Sequence, residues 1–94
     1  MWTVELSKKA AKSLRKLPAE VQINFDIWAD TVTIEGPLGL RQVSGFRDEA
    51  LRGAWRGYRS SRLSRQYRVI YQVQKEIVSI LVIDVNAHDY KRKQ

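Results

Sequence analysis

A chain of 94 residues, 44% apolar and 29% charged, has room for one small domain with one core, and its composition excludes disorder. With no cysteine and one histidine, disulfides, thiolate metal centres and cysteine nucleophiles are ruled out, a histidine-based metal site is not expected, and no cofactor is implied. The formal charge of +7 is held unevenly: residues 1–50 carry seven Lys/Arg against seven Asp/Glu, and residues 51–94 carry ten against three. The expected partner is therefore a polyanion met by the C-terminal half, nucleic acid before an acidic membrane surface or an acidic protein. The opening Met1-Trp2-Thr3-Val4-Glu5-Leu6 turns charged too soon for a signal peptide or a membrane span, so a cytoplasmic location without a membrane partner is expected.

Trp2, Val4 and Leu6 alternate with polar residues and predict a short strand. Ser7 offers an N-cap to an amphipathic helix over 8–17, with Ala10, Ala11, Leu14 and Leu17 on one face and Lys8, Lys9, Lys12, Arg15 and Lys16 on the other. Pro18 opens a second helix that runs to about Ile34. Val21, Phe25, Trp28 and Val32 form one stripe, while Ile23, Ile27 and Ile34 fall nearly opposite. One apolar face can cover a sheet and the other can meet the first helix, and any exposed remainder would suit a partner protein.

Gly36-Pro37-Leu38-Gly39 ends this helix, and residues 39–50 form an irregular connection holding the acidic pair Asp48-Glu49. Three strands follow: Trp55 to Leu63, Tyr67 to Val73, and the nearly continuous apolar run Ile77 to Val85, which reads as a central strand buried on both faces. The result is a single α+β domain over 1–94, a strand and two-helix hairpin packed on a mainly antiparallel four-stranded sheet in the order β-α-α-β-β-β.

Arg52, Arg56, Arg59, Arg62, Arg65 and Arg68 fall within 17 residues that contain no Asp or Glu. From charge alone, this run is either a phosphate-contacting surface or a solvated basic hairpin.

The residues Glu49-Ala50-Leu51-Arg52-Gly53, Gly57-Tyr58, Tyr67-Arg68-Val69-Ile70-Tyr71-Gln72-Val73 and the His88/Tyr90 tail resemble the RelE/ParE superfamily of toxins from bacterial toxin–antitoxin pairs. The likeness is greatest to the YoeB branch, whose members cut messenger RNA in the ribosomal decoding site. It implies a metal-independent endoribonuclease in which the ribose 2′-OH attacks the scissile phosphate. Such a reaction needs a base, cations for the charged transition state, and an acid for the leaving 5′ oxygen. Arginine stays protonated and can fill only the middle role. No lysine lies between residues 17 and 74 to assist. The resemblance assigns Glu49 as general base, His88 as general acid, Arg62 and Arg68 as transition-state stabilisers, and Tyr90 to stacking or phosphate orientation. Ordinary imidazole titrates near 6.5, which suits proton transfer at neutral pH.

The YoeB branch ends in adjacent His and Tyr, whereas Asp89 separates His88 from Tyr90 here, so Asp89 or Asn86 is an alternative occupant of a site position. Arg52, Arg56, Arg59, Arg65, Lys91, Arg92 and Lys93 are expected to contact RNA phosphates. The implied partners are a cognate acidic antitoxin and the ribosome with bound mRNA, with DNA reached only through the antitoxin. The competing readings are a ParE-type inhibitor of DNA gyrase without nuclease activity and a catalytically inactive nucleic-acid-binding relative.

Overall fold

The computed structural model describes residues 1–87, and His88 to Gln94 lie outside the described residues. The chain runs β1 (Thr3–Leu6), α1 (Lys8–Arg15), α2 (Ala19–Arg41), β2 (Glu49–Ala50), β3 (Arg59–Arg62), β4 (Tyr67–Gln74) and β5 (Ser79–Ala87). The strands form one sheet in the order β1-β5-β4-β3-β2. β1 lies parallel to β5, and the other neighbours are antiparallel. No helix among the described residues is long and apolar enough to cross a membrane.

Ser7 joins the first two elements to the centre of the sheet. Its Oγ accepts from the Ala10 N–H at 3.0 Å, capping α1, and donates to the Ile83 carbonyl at 2.7 Å. That carbonyl belongs to the bulge where Ile70 pairs with Asp84 but Tyr71 pairs with Val82. The hydroxyl thus satisfies a backbone group that lies outside the regular pairing. Farther along α1, Asp84, only 6% exposed, accepts from Ser13 Oγ at 3.2 Å and Asn86 Nδ2 at 2.8 Å and lies 3.4 Å from Lys9 Nζ.

The first stripe of α2 builds the core. Val21, Phe25, Trp28 and Val32 are buried, Trp28 stacks on Phe25 at 5.5 Å, and it meets Tyr71 of β4 edge-on at 5.3 Å. Asn24 of the same helix donates to the Leu63 carbonyl at 2.8 Å and so holds the β3–β4 hairpin.

Four expectations from the sequence are corrected. The sheet has five strands, because the two-residue β2 adds an edge that no periodicity could reveal. The third strand covers only Arg59–Arg62 and not 55–63, since Gly53 and Gly57 take positive φ and Gly53–Trp55 forms a 3-10 turn. α2 does not stop at Ile34. Gly36 (φ 78°, ψ 176°) kinks it, and the chain resumes helical geometry through Pro37, Leu40 and Arg41, a place where proline's missing N–H costs nothing. Of the two apolar stripes, expected to cover the sheet and to meet the first helix, the one formed by Ile23, Ile27 and Ile34 does neither and is 58%, 53% and 71% exposed.

The kink seats α2 against the N-terminus: Trp2 N–H donates to the Thr33 carbonyl, and a Cβ at Gly36 would lie 2.9 Å from the Trp2 indole nitrogen. The Gly36 dihedrals belong to a region essentially restricted to glycine. Gly36→Ala is therefore expected to lower stability by about 1–3 kcal/mol in urea denaturation. Gly45→Ala, where a Cβ meets open space, should stay within about 0.5 kcal/mol of the parent.

Candidate functional site

Strand alternation divides the arginines between the two faces of the sheet. β3 pairs with β4 as Arg59↔Tyr71, Ser60↔Ile70, Ser61↔Val69 and Arg62↔Arg68, and Glu49 of β2 pairs with Ser60. Tyr71 meets Trp28 on the helix-covered face, so Arg59 and Ser61 share that side with it. Glu49, Ser60, Arg62 and Arg68 share the other.

On that open face Arg47, Asp48, Glu49, Ser60, Arg62, Tyr67 and Arg68 line a cleft of about 410 Å³. Arg62 and Arg68 are half-buried and stand directly opposite each other across the ladder. Like charges so placed destabilise a sheet by themselves. The buried Nε of Arg68 has no hydrogen-bond partner among the described residues. Two facing guanidinium groups and an unpartnered donor beside a carboxylate have the chemistry to bind an anion next to a proton acceptor.

The wall that carries Glu49 is fixed by its neighbour. The Asp48 side chain has no exposed surface. Its Oδ1 accepts from Arg59 Nε at 2.8 Å and lies 2.7 Å from Arg59 Nη2. Its Oδ2 accepts from Ser61 Oγ at 2.6 Å and from the Tyr71 hydroxyl. A buried carboxylate is tolerable only with this degree of compensation. Burial alone would lower the Arg59 pKa, but the hydrogen bond and charge of Asp48 outweigh it and raise the value above normal. Burial and then the Asp48 hydrogen bond push the Tyr71 phenol far above its ordinary range.

The structure brings Glu49, Arg62 and Arg68 together. It places Arg59 elsewhere: this side chain, expected on phosphates, is committed to Asp48. Arg52, Arg56 and Arg65 are exposed and lie outside the cleft lining. Asn86, across the ladder from Arg68, gives its amide to Asp84. His88, Tyr90, Lys91, Arg92 and Lys93 lie outside the described residues; Ala87, the last of the described residues, pairs with the cleft residue Tyr67. Arg47 and Tyr67 are cleft residues that the sequence did not single out. Arg47 has φ 44°, a left-handed conformation uncommon outside glycine, as the chain turns from the Ser44–Phe46 3-10 turn into β2. Among the described residues, no group of three or more His, Cys, Asp or Glu side chains could hold a metal ion.

No family model matches the sequence, and no curated protein matches it. Solved structures do. The chain is similar to an archaeal RelE in its complex with RelB from Pyrococcus horikoshii OT3, with 26% identity, TM-score 0.73, and 92% of this chain and 93% of that one covered. It is similar to a YoeB/ParE toxin from Agrobacterium tumefaciens at 16% identity and TM-score 0.74, covering 93% and 99%. It also resembles a chain of the toxin–antitoxin complex RelBE2 from Mycobacterium tuberculosis at 23% identity and TM-score 0.68, covering 93% and 98%.

The Tyr71 phenol makes the Asp48 network testable by pH. Its folded pKa is raised, so its contribution is complete below the ordinary tyrosine value of about 10 and is lost as pH rises from there toward the folded value. Urea denaturation from about pH 8 to about pH 11 should show wild-type stability falling at the alkaline end. Tyr71→Phe should be less stable at pH 8 and should lack that component of the alkaline loss.

Proposed function

The chain has the fold of the RelE/ParE toxins, and from that premise we propose that it is the toxin of a type II toxin–antitoxin pair, acting in the cytoplasm as a ribosome-dependent endoribonuclease that cleaves mRNA. The observation that carries this reading is the meeting of Glu49 with Arg62 and Arg68 around one cleft on the open face of the sheet. A protein that only binds a polyanion needs the two arginines but gains nothing from a carboxylate beside them. The same objection weighs against a gyrase inhibitor of the ParE type.

In this mechanism Glu49 takes the proton of the ribose 2′-OH, whose oxygen attacks the adjacent phosphorus. Charge developing on the phosphoryl oxygens is met by Arg62 and Arg68, which need no reorganisation because β3 and β4 already hold them half-buried. The 5′ oxygen leaves with a proton from His88, the residue that follows Ala87 at the cleft end of β5. The products are a 2′,3′-cyclic phosphate and a free 5′-OH. No step requires a metal. Tyr90 is assigned to stacking or phosphate orientation, and Arg52, Arg56, Arg65, Lys91, Arg92 and Lys93 to phosphates of ribosomal RNA. A cognate antitoxin with an acidic segment would neutralise the toxin by covering the arginine-lined cleft.

Primer extension on an mRNA engaged by purified ribosomes, beside the same mRNA free in solution, tests the proposal. Cuts in phase with codons are expected only with ribosomes. Glu49→Gln and His88→Ala should each lower the cleavage rate by about 10²-fold or more. Arg68→Ala should lower it by about 10²–10³-fold. Absence of cuts with folded protein at low salt would overturn the nuclease reading and turn attention to a gyrase assay.

A further inference from the structure

We infer that Asp48 is the positioning residue of the cleft: by anchoring to β3 and β4 on the covered face of the sheet, it sets the direction of Glu49 on the open face. This inference rests on the nuclease reading for its kinetic consequence, though not for its structural one.

β2 is two residues long and is held by only two pairings, Glu49↔Ser60 and Ala50↔Arg59. It is preceded by Arg47 in a left-handed conformation and followed by the 3-10 turn at Gly53–Trp55. Both Glu49 and Ala50 are exposed. Those pairings, continued by the Leu51 N–H to the Tyr58 carbonyl at 2.9 Å, set the face that Glu49 meets, but so short an exposed edge strand holds its side chains weakly by backbone bonds alone. What β2 lacks in pairing, Asp48 supplies with side chains, since its carboxylate is bound by Arg59 and Ser61 of β3 and Tyr71 of β4. Successive residues of an extended segment point to opposite faces. With Asp48 fastened toward Tyr71, Glu49 is therefore directed to the face that carries Arg62 and Arg68.

The same geometry excludes a direct role for Asp48. Its side chain has no exposed surface and both oxygens are occupied, so it cannot take the 2′-OH proton. Its negative charge is matched by Arg59 on the far side of the sheet from Arg62 and Arg68. Removing that charge would uncover Arg59, and Glu49 is the next carboxylate along the chain to answer it. Glu49 would then turn away from the cleft.

The test uses Asp48→Asn and Ser61→Ala; the second removes one donor from Asp48 and leaves a small buried methyl group. In single-turnover cleavage over a range of ribosome–mRNA concentrations, Asp48→Asn should lower the saturating rate by about 10–100-fold and leave the half-saturating concentration within about threefold. Ser61→Ala should move the rate in the same direction by less. A purely structural role would lower the active fraction without changing the rate per folded molecule. The second readout needs no cleavage: in protein labelled with ¹³C at glutamate Cδ, the Glu49 carboxyl signal, identified by its loss in Glu49→Gln, should move in both variants. An unmoved Glu49 signal in a folded variant would overturn the inference, as would an unchanged rate per folded molecule. If Asp48→Asn fails to fold, Ser61→Ala carries both readouts. If wild type cuts nothing, the nuclease reading fails and the carboxyl signal alone decides the positioning role.

Discussion

Asp48 is a carboxylate with no solvent contact in a 94-residue domain, matched by a guanidinium, a serine hydroxyl and a phenol from the two neighbouring strands. A charge that deep cannot lose a partner without destabilising the fold, so the segment that carries it is fixed wherever Arg59, Ser61 and Tyr71 are fixed. Those three are held in turn by the core. Tyr71 packs on Trp28, and the hairpin that carries Arg59 and Ser61 is held by Asn24 through the Leu63 carbonyl. The chain of constraint therefore runs from the α2 stripe, through the phenol, to Asp48 and out to the cleft wall.

This arrangement gives two sets of arginines different work. Arg59 closes the interior ion pair with Asp48, whereas Arg62 and Arg68 face each other across the ladder in the cleft that Glu49 also lines. The cost of facing two guanidinium groups across a ladder is recovered when an anion lies between them. α2 shows the opposite polarity. Its outer side carries Ile23, Ile27, Ile34 and Leu38 at 53–71% exposure, and the helix also holds Glu20, Asp26, Asp30 and Glu35. The basic cleft and this apolar, acidic helix suit chemically different partners.

The order of elements was legible because the core stripes of both helices and the apolar run of β5 repeat at periods that match their structures. Periodicity could not say which of the two stripes on α2 faces inward, because both repeat at helical spacing and only the sheet decides between them. β2 was invisible because two residues cannot show an alternation, and residues 55–58 looked like strand because their aromatic content outweighed the backbone demands of Gly53 and Gly57. In the site, only the resemblance singles out Arg62 and Arg68 from the other arginines, and both line the cleft. Strand parity would have separated Arg59 from Arg62, but it needed the true limits of β3. Asp48 and Glu49 were equivalent neighbours in the sequence, and what distinguishes them is which face of the sheet each meets. Arg47 gave no signal beyond its charge, because its place in the cleft follows from a left-handed turn that its residue type does not favour.

The sheet turns Arg59 to an interior ion pair and Arg62 and Arg68 to the open cleft, and side-chain NMR reads whether that division is one between structure and anion binding. The Nε–H signals of Arg59, Arg62 and Arg68, assigned by single substitutions, would be followed while a short single-stranded oligoribonucleotide is added at low salt. The Arg62 and Arg68 signals should move in a saturable way while the Arg59 signal stays at its ion-paired position. Movement of Arg59 with Arg62 and Arg68 unaffected would contradict that division.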